Sequence, residues 1–171
     1  MMDRFRYLKK ISENDKFIGM KEIYDELKYN KNSATKFFSP INDIMDIFYI
    51  SLLIGIIKNK KVDHKDSKYV KGDMTANWTT ELNQSKELII SLYVSKIIRE
   101  SDPNYQNKDK IQFTLNSKLG TNPTRSLSNE GMEDIHDYAF GGFIELMTKL
   151  ENKKPEDLLS FFSEINNLLV N

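Results

Sequence analysis

The sequence predicts an all-α fold: a single compact helical domain over residues 1–171, with about five to six helices around a central apolar helix at 41–57. Three observations carry that expectation. Apolar residues recur at spacings of three and four in several separate blocks, and no block sustains the alternation of a half-buried strand. The most apolar stretch, "FFSPINDIMDIFYISLLIGIIKNKK", contains an uncharged run from Ile47 to Ile57, the length of a core helix. Composition is ordinary for a globular chain, with 39% apolar and 29% charged residues.

Each element follows in order. Residues 3–12 and 18–29 are expected as short helices, the second carrying Ile18, Ile23 and Leu27 on one side. "KNSATKFF" is a connection. Ser39 is then the expected N-cap of the core helix, Pro40 suits its first position, and Asp43 faces the positive end of the dipole. A membrane span needs about 20 apolar residues, so this run is too short and no membrane association is expected. Its circumference is apolar nearly all round, which calls for neighbours on most sides, in the core or in an oligomer interface.

Residues 58–78 have no helical period and read as an exposed loop, with a short extended piece at Tyr69-Val70. Thr79 or Thr80 can cap a helix carrying Leu82, Leu88, Ile89, Leu92, Tyr93, Ile97 and Ile98, which Asp102-Pro103 ends. Residues 103–128 are polar, with Gly120 and Pro123, and read as a second long loop with an extended "IQFTL". A helix is expected from Asn129 to about Glu151, and a last one opens at Pro155 and runs through Val170.

Lys+Arg and Asp+Glu both number 25, so the formal net charge is zero and any attraction to nucleic acid must be local. The absence of cysteine excludes disulfides, thiolate zinc sites and cysteine nucleophiles. The opening "MMDRFRY" lacks an apolar h-region, which together with the missing cysteine suits a cytoplasmic protein.

The strongest local charge is the lysine run of the first loop. Lys58, Lys60, Lys61, Lys65, Lys68 and Lys71 crowd together, diluted by Asp63 and Asp66, with His64, Tyr69 and Trp78 nearby. Lysines there can neutralise phosphates and Trp78 can stack on a base; the competing reading is a solvated loop in a lysine-rich chain. The two histidines, His64 and His136, show no ligand-spaced partner, and His136 shares a helix face with Phe140, so both read as structural or surface residues and no metal site is expected. Glu26-x-Lys28 matches a nuclease fragment without its strand context. No phosphate-binding glycine motif occurs, and no cofactor is expected. Gly141-Gly142 sit inside a helix at a cost of about 1 kcal/mol each relative to Ala, which close packing against the core helix, a kink or a ligand at bare backbone would offset.

These motifs together resemble the small proteins encoded beside bacterial DNA phosphorothioation (Dnd) modification and restriction genes. Asp43, Ile44, Phe48, Leu53 and Gly55, followed by Lys58, Lys60 and Lys61, are similar to an early family helix and its basic run. Asp102-Pro103 match the end of a middle helix, and Tyr138, Ala139, Gly141, Gly142, Phe143 and Leu146 resemble a later "YAxGGLxxL". His136 and Asp137 stand where the family carries acidic residues, and the segment 112–129 is longer. The resemblance implies an accessory, non-enzymatic role in anti-phage defence, with DNA or other defence proteins as partners, and supplies no reaction. Two further expectations stand beside it: an adaptor or homo-oligomeric subunit of a defence ATPase or nuclease complex using Leu158, Phe161, Phe162 and Ile165, and a small enzyme.

Overall fold

The computed structural model describes residues 5–11, 17–29, 41, 43–74, 86–120 and 126–170. These contain two strands and six helices: β1 (Arg6–Lys10), α1 (Met20–Tyr29), α2 (Ile44–Lys58), β2 (Val70–Asp73), α3 (Lys86–Ser101), α4 (Lys108–Lys118), α5 (Asn129–Lys149) and α6 (Leu158–Val170). The protein is therefore mostly helical with one small two-stranded sheet, which corrects the purely α expectation. Its contacts divide into two compact units, Met1–Phe5 with Thr75–Ile135, and Arg6–Met74 with His136–Asn171.

In the second unit, β1 and β2 pair antiparallel, with Arg6 opposite Asp73, Tyr7 opposite Gly72 and a bulge between Leu8 and Lys10. The sequence suggested a helix at 3–12, where Phe5 and Leu8 are the apolar positions in question. Both are fully buried, but Leu8 sits in a strand whose partner lies some sixty residues away. Helix α1 buries Met20, Ile23 and Leu27 and packs on β1 and α2.

Helix α2 starts later than expected. Its N-cap is Asp43, whose backbone N–H donates to Asp46 Oδ2 at 2.9 Å while its own carboxylate accepts from the Met45 N–H, a reciprocal cap. The expected cap residues Ser39 and Pro40 lie outside the described residues. Met45, Ile47, Phe48, Ser51, Leu52, Ile54, Gly55 and Ile56 are buried around the helix, as its uniform apolarity requires. The buried Ser51 hydroxyl donates to the Ile47 carbonyl 2.7 Å away, so the one polar side chain among them is satisfied within its own helix.

Helices α2 and α5 meet backbone to backbone. A Cβ on Gly55 would lie 1.9 Å from the Tyr138 carbonyl oxygen, and one on Gly142 would lie 1.9 Å from that of Ser51. The glycine cost at Gly142 is thus offset by close helix approach, one of the readings the sequence left open, and that at Gly141 by the approach of the Lys60 backbone. Helix α6 packs on α2 with Phe161, Ile165 and Leu168 buried. Its start is Leu158 rather than Pro155: the Ser160 N–H donates to Asp157 Oδ1 at 2.7 Å, which caps the first turn. Phe161 and Ile165 are used in this packing, so they do not form the exposed apolar face that the adaptor reading assigned to them.

In the first unit, α3 buries Ile89, Tyr93 and Ile97, four residues apart, and packs on α4. The segment 103–128 is not one long loop. Within it α4 is a full helix with no buried residue, and "IQFTL" is helical rather than extended. Asp102 organises the entry by accepting from the N–H groups of Asn104 and Asn107, and Asn107 then caps α4 by accepting from the Lys110 N–H at 3.0 Å. Leu119 and Leu127 bridge antiparallel ahead of α5, whose first turns belong to this unit. There Tyr93 Oη donates to Asp134 Oδ2 at 2.8 Å, and Lys118 Nζ lies 3.2 Å from the same oxygen and 2.7 Å from Glu130. Burial opposes charge on Lys118, but Glu130 and Asp134 more than offset it and hold its pKa above the ordinary value.

Among the described residues, no helix is long and apolar enough to cross a membrane.

Candidate functional site

The segment between α2 and β2 carries the predicted lysines, and its path is fixed from both ends. Asn59 takes a left-handed conformation (φ 54°, ψ 44°) and turns the chain sharply out of α2, its N–H reaching the Gly55 and Ile56 carbonyls. The loop then lies along α5. The Lys60 carbonyl occupies the space a Gly141 side chain would need, and the Val62 N–H donates to the Asp137 carbonyl at 3.0 Å. Two turns follow, each closed by an aspartate: Asp63 Oδ1 accepts from the Lys65 N–H at 2.8 Å, and Asp66 Oδ1 from the Lys68 N–H at 3.0 Å. The Lys68 N–H bond leads the causes that keep the Asp66 carboxyl below its ordinary pKa.

Within the first of these turns His64 points inward. Its residue is 2% exposed, in the middle of a segment the sequence read as solvated. Its backbone N–H donates to Asp137 Oδ1 at 2.8 Å, and its ring Nδ1 lies 2.7 Å from the same oxygen. A carboxylate only accepts, so Nδ1 carries the proton. Asp137 is a half-buried residue of α5, and its neighbour His136 is buried beside the pair with ring centroids 5.0 Å apart. Phe140 meets both rings and Phe48 meets that of His136, which makes an apolar wall. His136 Nε2 accepts from the Arg6 N–H at 3.0 Å, so His136 is neutral and its proton sits on Nδ1. Burial, then the proximity of His64 and of the Arg6 cation, lowers the His136 pKa to about 3.

The structure places the predicted residues unevenly. Lys60, Lys61, Lys65 and Lys68 are exposed along the loop, while Lys58 is half-buried at the end of α2. Lys60 pairs with Glu145 at 3.4 Å, Lys61 sits 4.5 Å over the Tyr138 ring, and Lys68 pairs with Asp66 at 3.3 Å and lies 4.8 Å over the Tyr69 ring. Trp78, the expected stacking residue, lies outside the described residues. Glu26 of the nuclease-like fragment lies in α1, in helix rather than strand, with its carboxylate 2.9 Å from Lys154.

Sequence reasoning missed the cluster of Asp63, His64 and Asp137, whose ligand atoms all lie within 4.8 Å of one another. His64 and Asp137 are 73 residues apart, and no periodicity links them. The sole signal was a histidine between two aspartates in a loop.

No known protein family, curated protein or solved structure matches the chain.

Proposed function

We propose that the protein is a non-enzymatic accessory component of a bacterial phosphorothioation-linked anti-phage system, acting in the cytoplasm by contacting the DNA backbone or a DNA-processing partner. The motif resemblance supplies the setting. The contact surface is the loop 59–69, with α2 as the central helix on which it is built. One observation supports this choice above the others: lysines at 60, 61, 65 and 68 are exposed on a segment anchored at Asn59, Val62 and His64, so they are presented with little ordering entropy left to lose. The segment 58–71 holds six lysines against two aspartates, a local positive patch on a chain of zero net charge.

The second reading is a protein adaptor or oligomeric subunit without direct DNA contact. It is favoured by the pairing of Lys60 with Glu145 and of Lys68 with Asp66, which reduces the charge offered to phosphates.

Fluorescence anisotropy on plain and phosphorothioated duplex across a salt series separates the two. Lys61→Gln, Lys65→Gln and Lys68→Gln together should lower the salt slope by about one for each phosphate that is no longer neutralised, and should leave the circular dichroism unchanged. Equal binding by the variant, or no binding of either duplex at low salt, removes the DNA reading and directs attention to protein partners.

A further inference from the structure

We propose that Asp63, His64 and Asp137 form a binding site for one divalent first-row transition cation of the zinc or manganese class. The site goes beyond the contact reading above and does not depend on DNA.

Geometry is the first support. Two carboxylates and one imidazole converge with all ligand atoms within 4.8 Å of one another. Metal–oxygen and metal–nitrogen bonds are about 2.0–2.2 Å, so ligand atoms around one ion lie at most about 4.4 Å apart. The cluster's 4.8 Å span comes within about half an ångström of that limit.

Orientation is the second. A metal ligand is normally fixed by an outer partner. Here Asp63 Oδ1 is held by the Lys65 N–H at 2.8 Å, and Asp137 Oδ1 by the His64 N–H at 2.8 Å. Both groups are aimed by backbone, not by mobile side chains. Behind them Phe140 and the neutral His136 close the inner side. His136 Nε2 is already taken by the Arg6 N–H, which leaves the imidazole of His64 as the ring ligand; the cation takes the place of the Nδ1 proton now shared with Asp137 Oδ1, and that proton leaves to solvent.

Electrostatics is the third. The bond between His64 and Asp137 accounts for those two residues alone. Asp63, held by the Lys65 N–H, places a second carboxylate beside the first, where like charges repel. A dication between them turns that repulsion into attraction and neutralises the pair. The exposed side of Asp63 leaves room for water in the remaining coordination positions. The imidazole nitrogen favours zinc over magnesium and calcium, which prefer oxygen alone, and the two carboxylates also suit manganese.

The chain has no cysteine and two histidines, so background zinc binding is low in untagged protein. Zn²⁺, Mn²⁺ and Mg²⁺ are titrated by calorimetry into untagged, chelator-stripped protein, with thermal melting in parallel. The expected result is one Zn²⁺ or Mn²⁺ ion per chain, a raised melting temperature with it, and Mg²⁺ at least about tenfold weaker. Asp63→Asn keeps the oxygen that accepts from Lys65 and lies at the surface, so the metal-free protein should melt as wild type while its metal affinity drops about tenfold or more. No heat and no melting shift with Zn²⁺ and Mn²⁺, or wild-type affinity in Asp63→Asn, overturns the site. Equal Mg²⁺ binding overturns the assigned metal class.

Discussion

Replacing Gly142 by Ala sets two effects of opposite sign against each other. In an isolated helix the change is favourable by about 1 kcal/mol, because Ala loses less backbone entropy. In this fold the new Cβ would stand 1.9 Å from the Ser51 carbonyl oxygen and 2.5 Å from the Gly55 nitrogen. Real carbon–oxygen contacts begin near 3 Å, so α2 and α5 must separate by more than about 1 Å. Neither neighbour can rotate away, since both are backbone atoms of α2. Overpacking of side chains costs about 1–3 kcal/mol, and a clash on rigid backbone belongs at or just above the upper end. Subtracting the helix gain leaves a net loss of about 2–3 kcal/mol. That is a fall of roughly 5–10 °C in melting temperature for a chain of this size, read by circular dichroism. Asn166→Ala, at an exposed position in α6, is the control and should gain a few tenths of a kcal/mol. A Gly142→Ala variant as stable as wild type, or more so, would refute the backbone contact and leave Gly142 unexplained.

Two further outcomes follow from buried polar groups. His136 is neutral when folded, with a pKa near 3 against 6.5 unfolded, so its stability contribution is whole above pH 6.5 and is lost as pH falls toward 3, because only the unfolded state takes up the proton; by pH 5 the loss is about 2 kcal/mol. The facing titratable groups are His64 and Arg6, and His136→Gln should flatten this acid limb in urea melts; parallel limbs would contradict it. In the first unit, Tyr93→Phe should cost about 1–2 kcal/mol and Asp134→Ala about 3, since the second change strips Lys118 and the Tyr93 hydroxyl of a shared partner; the reverse order would show that Glu130 alone carries Lys118.

The sequence patterns that succeeded were those where one residue type serves one purpose. The apolar run became α2 because nothing but a helix buried on most sides suits it, and Gly141-Gly142 pointed to close packing because their helix cost needs an offset. The patterns that failed had local causes outvoted by distant ones. Residues 3–12 were expected to be helical, but for residues 6–10 pairing with 70–73 decides the conformation. Residues 108–118 offered no apolar period, since α4 buries nothing, and its existence rests on the Asp102 and Asn107 side chains that close its first turn. Cap chemistry at Asn107 was the available signal, and an amphipathicity criterion passes over it.

The lysine loop and the buried histidine are physically coupled. A loop rich in lysine and lacking period reads as solvated, and its lysines are solvated. Such a loop would ordinarily sample many conformations, and each bound phosphate would then cost ordering entropy. His64 removes that freedom: a single Asp137 oxygen accepts from both its backbone N–H and its ring N–H, and the Asp137 carbonyl accepts from the Val62 N–H one turn of the loop earlier. Exchange of these loop amides with solvent should therefore be slow beside that of the equally polar α4, whose residues are all solvent-accessible to some degree. The proposed contact surface depends on where the lysines are anchored as much as on how many there are. Any ligand that strengthens the anchor, a cation at Asp63 included, would stiffen the surface that carries the charge.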